Sequence, residues 1–341
     1  MQDNYNILDR VLHRFALSSI NTMKMLHDIE LATQLGRAPP DSGRHVFITG
    51  LARSGSTALL RNLYATNQFG SLTYADMPFV LAPNLWTQIS RRWRTPIEPI
   101  ERAHGDGIQI GQQSPEAFDE VFWRLTCGSS YIRSNELLPH RLSSSMVERF
   151  RNFIRLVLLN TDRHRYLSKG NNNILRLSSL AEKMPDCTIL LMIREPHDHA
   201  ESLLRQHLRS KELKDSFRVE YKQWLVHHEF GEDHRPFRFV NLPNRNNTTI
   251  DYWLATWISV YRSLFNVAAE SKNVLIVPYR EFCENTKFWE NICSKIGVGE
   301  TDRNEILLRA GSGSSRPPVD QMLSAEASAL YETYCDLAIK S

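Results

Sequence analysis

The chain has 341 residues, 42% of them hydrophobic, enough to bury a large core; this length suits two domains or one large α/β unit. A net charge of +3 with 23% charged residues is too weak a field for a general nucleic-acid binder. Five scattered cysteines with no C-x-x-C pair exclude a zinc ribbon and a disulfide framework and point to reduced, packed thiols.

Residues 5–34 carry Leu8, Val11, Leu12, Phe15, Ile20, Met23 and Leu26 near a 3.6-residue period, which predicts a helix over the core and a candidate homo-oligomer contact. The N-terminus, MQDNYNILDR (1–10), is polar and acidic and lacks the charged n-region and apolar run of a secretion signal. No stretch reaches the ~20 apolar residues of a membrane span. A cytoplasmic protein with no membrane span is expected. GRAPPDSG (36–43) reads as a linker.

HVFITGLARSGSTALLRNL (45–63) is the most informative stretch. It reads as a buried strand, a loop of small residues from Gly50 to Ser56, and a helix opening at Thr57. A helix start presents unpaired N–H groups and positive potential, so this is an anion cradle, most often for phosphate. An ATP-type loop would carry Lys after its last glycine, whereas here Gly55 is followed by Ser56 and Thr57.

A short strand is predicted at Ser71–Tyr74. A proline-punctuated segment, Met77–Pro115, follows as substrate-facing loops and short helices. Helical patterns cover Pro115–Thr126 and Val147–Asn160, then RYLSK (165–169), a helix over Asn173–Met184 and a strong strand, CTILLMI (187–193). A further helix runs from Pro196 past Leu208. The polar, His-rich stretch 227–249 reads as a lid or acceptor-binding loop, or a solvated one. Trp253 and Trp257 share one face of a helix over Asp251–Ser271, as core packing. NVLIVPY (273–279) is a last strand. Two helical stretches, a GSGSSRPP loop (311–318) and a C-terminal helix (319–341) complete the chain.

Strands alternating with helices predict an α/β, P-loop-like fold with a mostly parallel central sheet covered by helices on both faces. A single α/β domain over 1–341 is expected, with 1–35 as a helical extension and 75–115 and 227–249 as substrate-side loops. The second strong strand ends in Arg194, and Ser202 stands eight residues later on its helix. This pair is a second candidate anion site at the same sheet edge, with a permanent bidentate charge and a neutral donor. His197, His199, His207, His227, His228 and His234 show no zinc spacing, so no metal is expected.

The Arg53-Ser54-Gly55-Ser56-Thr57 loop after strand one, and Arg194 with Ser202 eight residues on, resemble the sulfotransferases that use 3′-phosphoadenosine 5′-phosphosulfate (PAPS). The first cradle is similar to their 5′-phosphosulfate loop and the second to their 3′-phosphate motif. YLSKGNNNILRL (166–177) resembles the Lys-containing segment of bacterial, carbohydrate and tyrosylprotein members, and VPYREF (277–282) their late strand. The matches run in family order over residues 45–282. Two departures, Ala52 for the usual Pro and Ser56-Thr57 for Thr-Thr, keep a small backbone and a hydroxyl. Arg53 itself is nearer the tyrosylprotein-like and bacterial branches than the cytosolic small-molecule branch, where Lys stands.

The resemblance implies in-line transfer of a sulfuryl group to an acceptor hydroxyl or amine, with PAPS as co-substrate. Arg53 and the backbone amides of Ser54, Gly55, Ser56, Thr57 and Ala58 would hold the phosphosulfate, with the Ser56 and Thr57 hydroxyls. Arg194 and Ser202 would hold the 3′-phosphate, Tyr279 would meet the adenine, and Lys169 would contact the sulfonate or the acceptor. A general base is needed. Asp76, where the tyrosylprotein branch has Glu, is the first candidate, with an ordinary turn-forming role as the alternative. His104, which titrates near working pH, is the second. Glu116, Asp119 and Glu120 come next, as acids expected to serve a helix N-terminus. Trp86, Arg91, Arg92, Trp93 and Arg94 fit a glycan, a phenol or an anionic chain equally well, and also an amphipathic structural helix; lipid, metabolite and tyrosine acceptors also stay open. Two other readings share the first cradle: a P-loop kinase for a small metabolite, and a non-catalytic nucleotide-bisphosphate binder.

Overall fold

The computed structural model describes residues 7–91, 100–101, 109–212, 215–240, 246–299 and 318–338. Two helices open it, α1 (Ile7–Leu17) and α2 (Ile20–Gln34), where the sequence pattern suggested one. The break falls at Ser18–Ser19: the Ser19 hydroxyl accepts from the Thr22 N–H and caps the second helix. Next come β1 (Val46–Thr49), α3 (Ser56–Ala65), α4 (Pro83–Ser90) and a small antiparallel pair, β2 (Ile100–Glu101) with β3 (Gln109–Ile110). α5 (Glu120–Tyr131), α6 (Ser144–Thr161), β4 (Leu167–Lys169), α7 (Leu177–Lys183), β5 (Thr188–Ile193), α8 (Pro196–Lys211) and α9 (Ser216–Trp224) follow. The chain then forms α10 (Ile250–Glu270), β6 (Val274–Pro278), α11 (Tyr279–Glu284), α12 (Thr286–Lys295) and α13 (Gln321–Leu337).

The central sheet has the order β4-β1-β5-β6, and every pairing in it is parallel. Its strands are short and almost wholly buried, as parallel strands covered on both faces must be. Two apolar layers cover it. Phe47, Ile189, Leu191 and Ile193 face the larger one, with the aromatic cluster of α5 and α6 and the body of α10. Val46, Ile48, Leu190 and Met192 face the other, with α3, α11 and α12. Alternation along β1 and β5 thus feeds both layers, and the α/β class expected from the sequence is the one observed. Trp253 and Trp257 are both buried, as core residues. Among the described residues no helix is long and apolar enough to cross a membrane.

The predicted strand at Ser71–Tyr74 is absent. Gly70 and Thr73 make single bridges to Tyr166 and Pro115, and Tyr74–Asp76 turns into a 3₁₀ helix. The cause is local: the Asp76 carboxylate accepts from both the N–H and the hydroxyl of Thr73, at 2.8 and 3.0 Å, closing a capping box that bends the chain out of extension.

What the fold does for the site follows from strand direction. Four parallel strands bring the ends of β4, β1, β5 and β6 to one edge, so Lys169, the loop after Thr49, Arg194 and Tyr279 share it. The chain goes from β1 to β4 on one side and later to β5 on the other. That reversal opens a crevice at the end of β1, where α/β sheets bind ligands.

Candidate active site

Between Thr49 and Ser56 the backbone turns through Gly50, at φ +143°, and Gly55, at φ +97°. A Cβ on Gly50 would stand 2.6 Å from the Met192 carbonyl oxygen, and one on Gly55 would enter the Tyr279 ring at 2.2 Å. Both positions therefore need glycine for space as well as for backbone freedom. Arg53, a residue with a full side chain, also holds a positive φ of 68°, the kind of strain that persists only where surroundings impose it.

The surroundings are visible. The Tyr261 hydroxyl of α10 donates to the Met192 carbonyl at 2.8 Å and accepts from the Leu51 N–H at 3.4 Å. Tyr261 is wholly buried, and burial pushes its phenol above its usual range, so it remains a neutral donor at working pH. His199 Nε2 lies 2.8 Å from the Ala52 carbonyl oxygen. Arg194 donates to the Arg53 carbonyl at 3.2 Å, and Arg53 Nε donates to the Ser202 hydroxyl at 3.4 Å. Two motifs separated by 141 and 149 positions in sequence are thus in direct contact.

Other predicted donors are placed as follows. The Ser54 N–H is bonded to the Leu51 carbonyl and the Ala58 N–H to the Gly55 carbonyl, so these two amides, expected to face the anion, are spent inside the chain. Gly55 caps α3, whose first residue is Ser56, and a helix start leaves such N–H groups without an intrahelical acceptor. Ser56 and Thr57 are nearly buried. The Ser54 hydroxyl is buried under the loop with no hydrogen-bond partner among the described residues. Tyr279 stands at the start of α11 with its ring between Gly55 and the Arg194 guanidinium, which lies 5.2 Å from the ring centroid. It therefore wedges the two cradles together, and burial pushes its phenol up to about 12.

On the β4 side, Lys169 Nζ donates to Glu116 Oε1 at 3.1 Å, and both side chains are largely buried. The sequence pattern gave Glu116, Asp119 and Glu120 to a helix start; Glu120 is a first-turn acid of α5 and Asp119 stands just before it, while Glu116 lies outside the helix. α5 begins at Glu120, and Asp119 makes no side-chain cap bond to it. Asp119 instead accepts from the Tyr166 hydroxyl at 2.5 Å, and Glu120 takes the buried guanidinium of Arg176 at 2.8 and 3.2 Å. Asp76 is 4% exposed, and it also accepts from Asn160 at 3.0 Å. Its carboxylate is thus engaged in holding the 73–76 turn against α6. His104 lies outside the described residues, as do Arg92, Trp93 and Arg94, and 311–317 of the late loop.

The His-rich segment is tied down where it is described. His228 and Asp233 meet at 2.8 Å, His234 and the Tyr252 hydroxyl at 2.6 Å, and Glu229 accepts from Asn171 at 2.9 Å. The last contact fastens this segment beside Gly170, at the active edge. Residues 241–245 of it lie outside the described residues. Among the described residues no group of three or more His, Cys, Asp or Glu side chains is arranged to hold a metal.

Burial raises the Asp119 carboxyl to about 6, against the hydrogen bond from Tyr166 that favours its charge. The folded protein then holds a proton there that the unfolded chain, with an ordinary Asp near 3.8, has lost. Stability from this group is therefore complete below pH 4 and declines as pH rises through about 6, by about 3 kcal/mol in all. Asp119→Asn should match the native protein in urea unfolding at pH 4 and exceed it at pH 7.5. Equal stabilities at both pH values would refute the assignment.

Comparison with known proteins adds the following. The model of a sulfotransferase family matches residues 45–302. No curated protein matches the chain. Among solved structures, the chain is similar to sulfotransferase STF1 from Mycobacterium tuberculosis H37Rv, with 14% identity and a TM-score of 0.52, over 95% of this chain and 87% of that one. A second similarity is to sulfotransferase STF9 from Mycobacterium avium, with 11% identity and a TM-score of 0.49, over all of this chain and 80% of that one. The STF1 likeness is one of fold.

Proposed function

Since the chain belongs to the sulfotransferase family, as the match over residues 45–302 shows, we propose that it moves a sulfuryl group from PAPS to a hydroxyl or amine of an acceptor. One observation carries the choice of donor. Arg194 and Ser202 contact the backbone and side chain of Arg53 at 3.2 and 3.4 Å, so two anion-binding elements adjoin, as a donor with phosphate at both the 5′ and 3′ positions requires.

The acceptor atom attacks sulfur, the bond from sulfur to the bridging oxygen breaks, and adenosine 3′,5′-bisphosphate leaves. As in phosphoryl transfer, the work is positioning and charge stabilisation. Arg53 and the amides at the start of α3 take the charge growing on the leaving oxygen. Arg194, with Ser202, holds the 3′-phosphate. Lys169 lies at the end of β4, on the far side of β1 from Arg194, where the sulfonate and the acceptor would meet.

The acceptor proton needs a base. Asp76 is taken up by the 73–76 turn and Asn160, whereas Glu116 stands beside Lys169 at the sheet edge, and this placement favours Glu116. Glu116→Gln should lower kcat by about 10²- to 10⁴-fold and leave the affinity for adenosine 3′,5′-bisphosphate unchanged. A variant with native kcat would remove Glu116 from the chemistry. For the function itself, incubation with ³⁵S-labelled PAPS and a metabolite extract should yield labelled products. Magnesium-dependent ATP turnover in the same extract, with no labelled product, would overturn the proposal.

A further inference from the structure

His199 is the fourth residue of α8, one turn before Ser202 and so on the same face. It is wholly buried, and its Nε2 sits 2.8 Å from the Ala52 carbonyl oxygen. A carbonyl only accepts, so Nε2 carries the proton. Nδ1 is left as the unprotonated nitrogen, and it has no hydrogen-bond partner among the described residues. Burial and the nearby Arg194 and Arg53 charges hold the ring neutral, against the Ala52 carbonyl, with its pKa lowered to about 3.

Arg53 is therefore gripped at both of its peptide planes. The carbonyl before it is held by His199 and the carbonyl after it by Arg194. Rotation of either plane would swing the Arg53 side chain, and the positive φ at Arg53 is a conformation the chain alone would not keep. All three grips, at Arg194, His199 and Ser202, come from one stretch that begins at the end of β5 and runs into α8.

We infer that His199 is a positioning residue: through the Ala52 carbonyl it fixes the left-handed Arg53 backbone, and so aims the Arg53 guanidinium at the group being transferred. This rests on the sulfuryl-transfer reading above. It makes the loop and α8 one unit, in which the element that binds the 3′-phosphate also sets the element that stabilises the leaving oxygen.

The variants differ in where they can donate. The Gln side chain reaches the Nε2 position, Asn reaches only the Nδ1 position, and Phe fills the space with no donor. With PAPS as donor, His199→Phe and His199→Asn should lose about 10²-fold in kcat, as for a reacting group misplaced by about 1 Å. KM for the donor should change less than about threefold, because Arg194, Ser202 and the α3 amides remain. His199→Gln should recover most of kcat. If the folded Gln and Asn variants have equal kcat, or if the folded Phe variant keeps native kcat, the inference is overturned. A measurement on the native protein needs no variant: ¹⁵N spectra of the histidines should show one ring as the neutral Nε2–H form throughout pH 5–8. Titration of His199 in that range, or an Nδ1–H form, would also overturn it. Native protein that transfers no sulfuryl group from PAPS would instead count against the function, leaving the ring's tautomer to be read on its own.

Discussion

Replacing Arg53 by alanine will reduce sulfuryl transfer about 10³-fold while the protein melts within a few degrees of native. The first half follows from the role proposed for the guanidinium. Removing one donor aimed at a developing anion costs about 10²- to 10³-fold, and a permanent charge lies at the upper end of that range. The second half follows from the backbone. Arg53 has a positive φ, and alanine, with the same Cβ, neither relieves nor worsens it. The side chain is half-buried, and its Nε contact with Ser202 is long, at 3.4 Å. Arg53→Lys restores the charge without the planar fork and should stand in between, at about 10-fold below native. A drop in melting temperature that tracks the loss of activity would mean that Arg53 holds the fold together, not the leaving oxygen.

The second large effect is at Arg194. Arg194→Ala will weaken PAPS by about 2–5 kcal/mol, the cost of leaving a desolvated charge without its partner, or roughly 30- to 5,000-fold. Adenosine 5′-phosphosulfate, which lacks the 3′-phosphate, will lose far less. Some loss will remain even for that donor, because Arg194 also holds the Arg53 carbonyl and covers the Tyr279 ring. Donor affinities measured for both compounds on both proteins give the comparison. Equal losses would place Arg194 away from the 3′-phosphate.

The fold and the meeting of the Arg53 loop with the Arg194–Ser202 stretch were legible because their signals are local. β1, the glycine-bearing loop and α3 follow one another within residues 46–65, and a strand ending in Arg194 with Ser202 two turns later is equally contiguous. The split between α1 and α2 was written in Ser18–Ser19, and the Asp76 turn in Thr73-x-x-Asp76, a capping pattern that outweighs the extended propensity of the residues before it. The His199 and Tyr261 grips join positions 147 and 210 apart, so no spacing rule could show them. One signal for His199 was available: it shares a helix face with Ser202. Glu116 was legible only as an acid near a helix start. Its pairing with Lys169, 53 positions away, depends on how the segment along Leu72 and Thr73 runs beside β4, which no stretch of sequence determines by itself.

The central claim is that one site binds two phosphates of an adenosine nucleotide, and calorimetric titration tests it most directly. Adenosine 3′,5′-bisphosphate, without magnesium, should bind native protein at least ~30-fold tighter than ADP, and Arg194→Ala should abolish that preference. Binding of magnesium–ATP or ADP in preference to the bisphosphate, unchanged in Arg194→Ala, would contradict it.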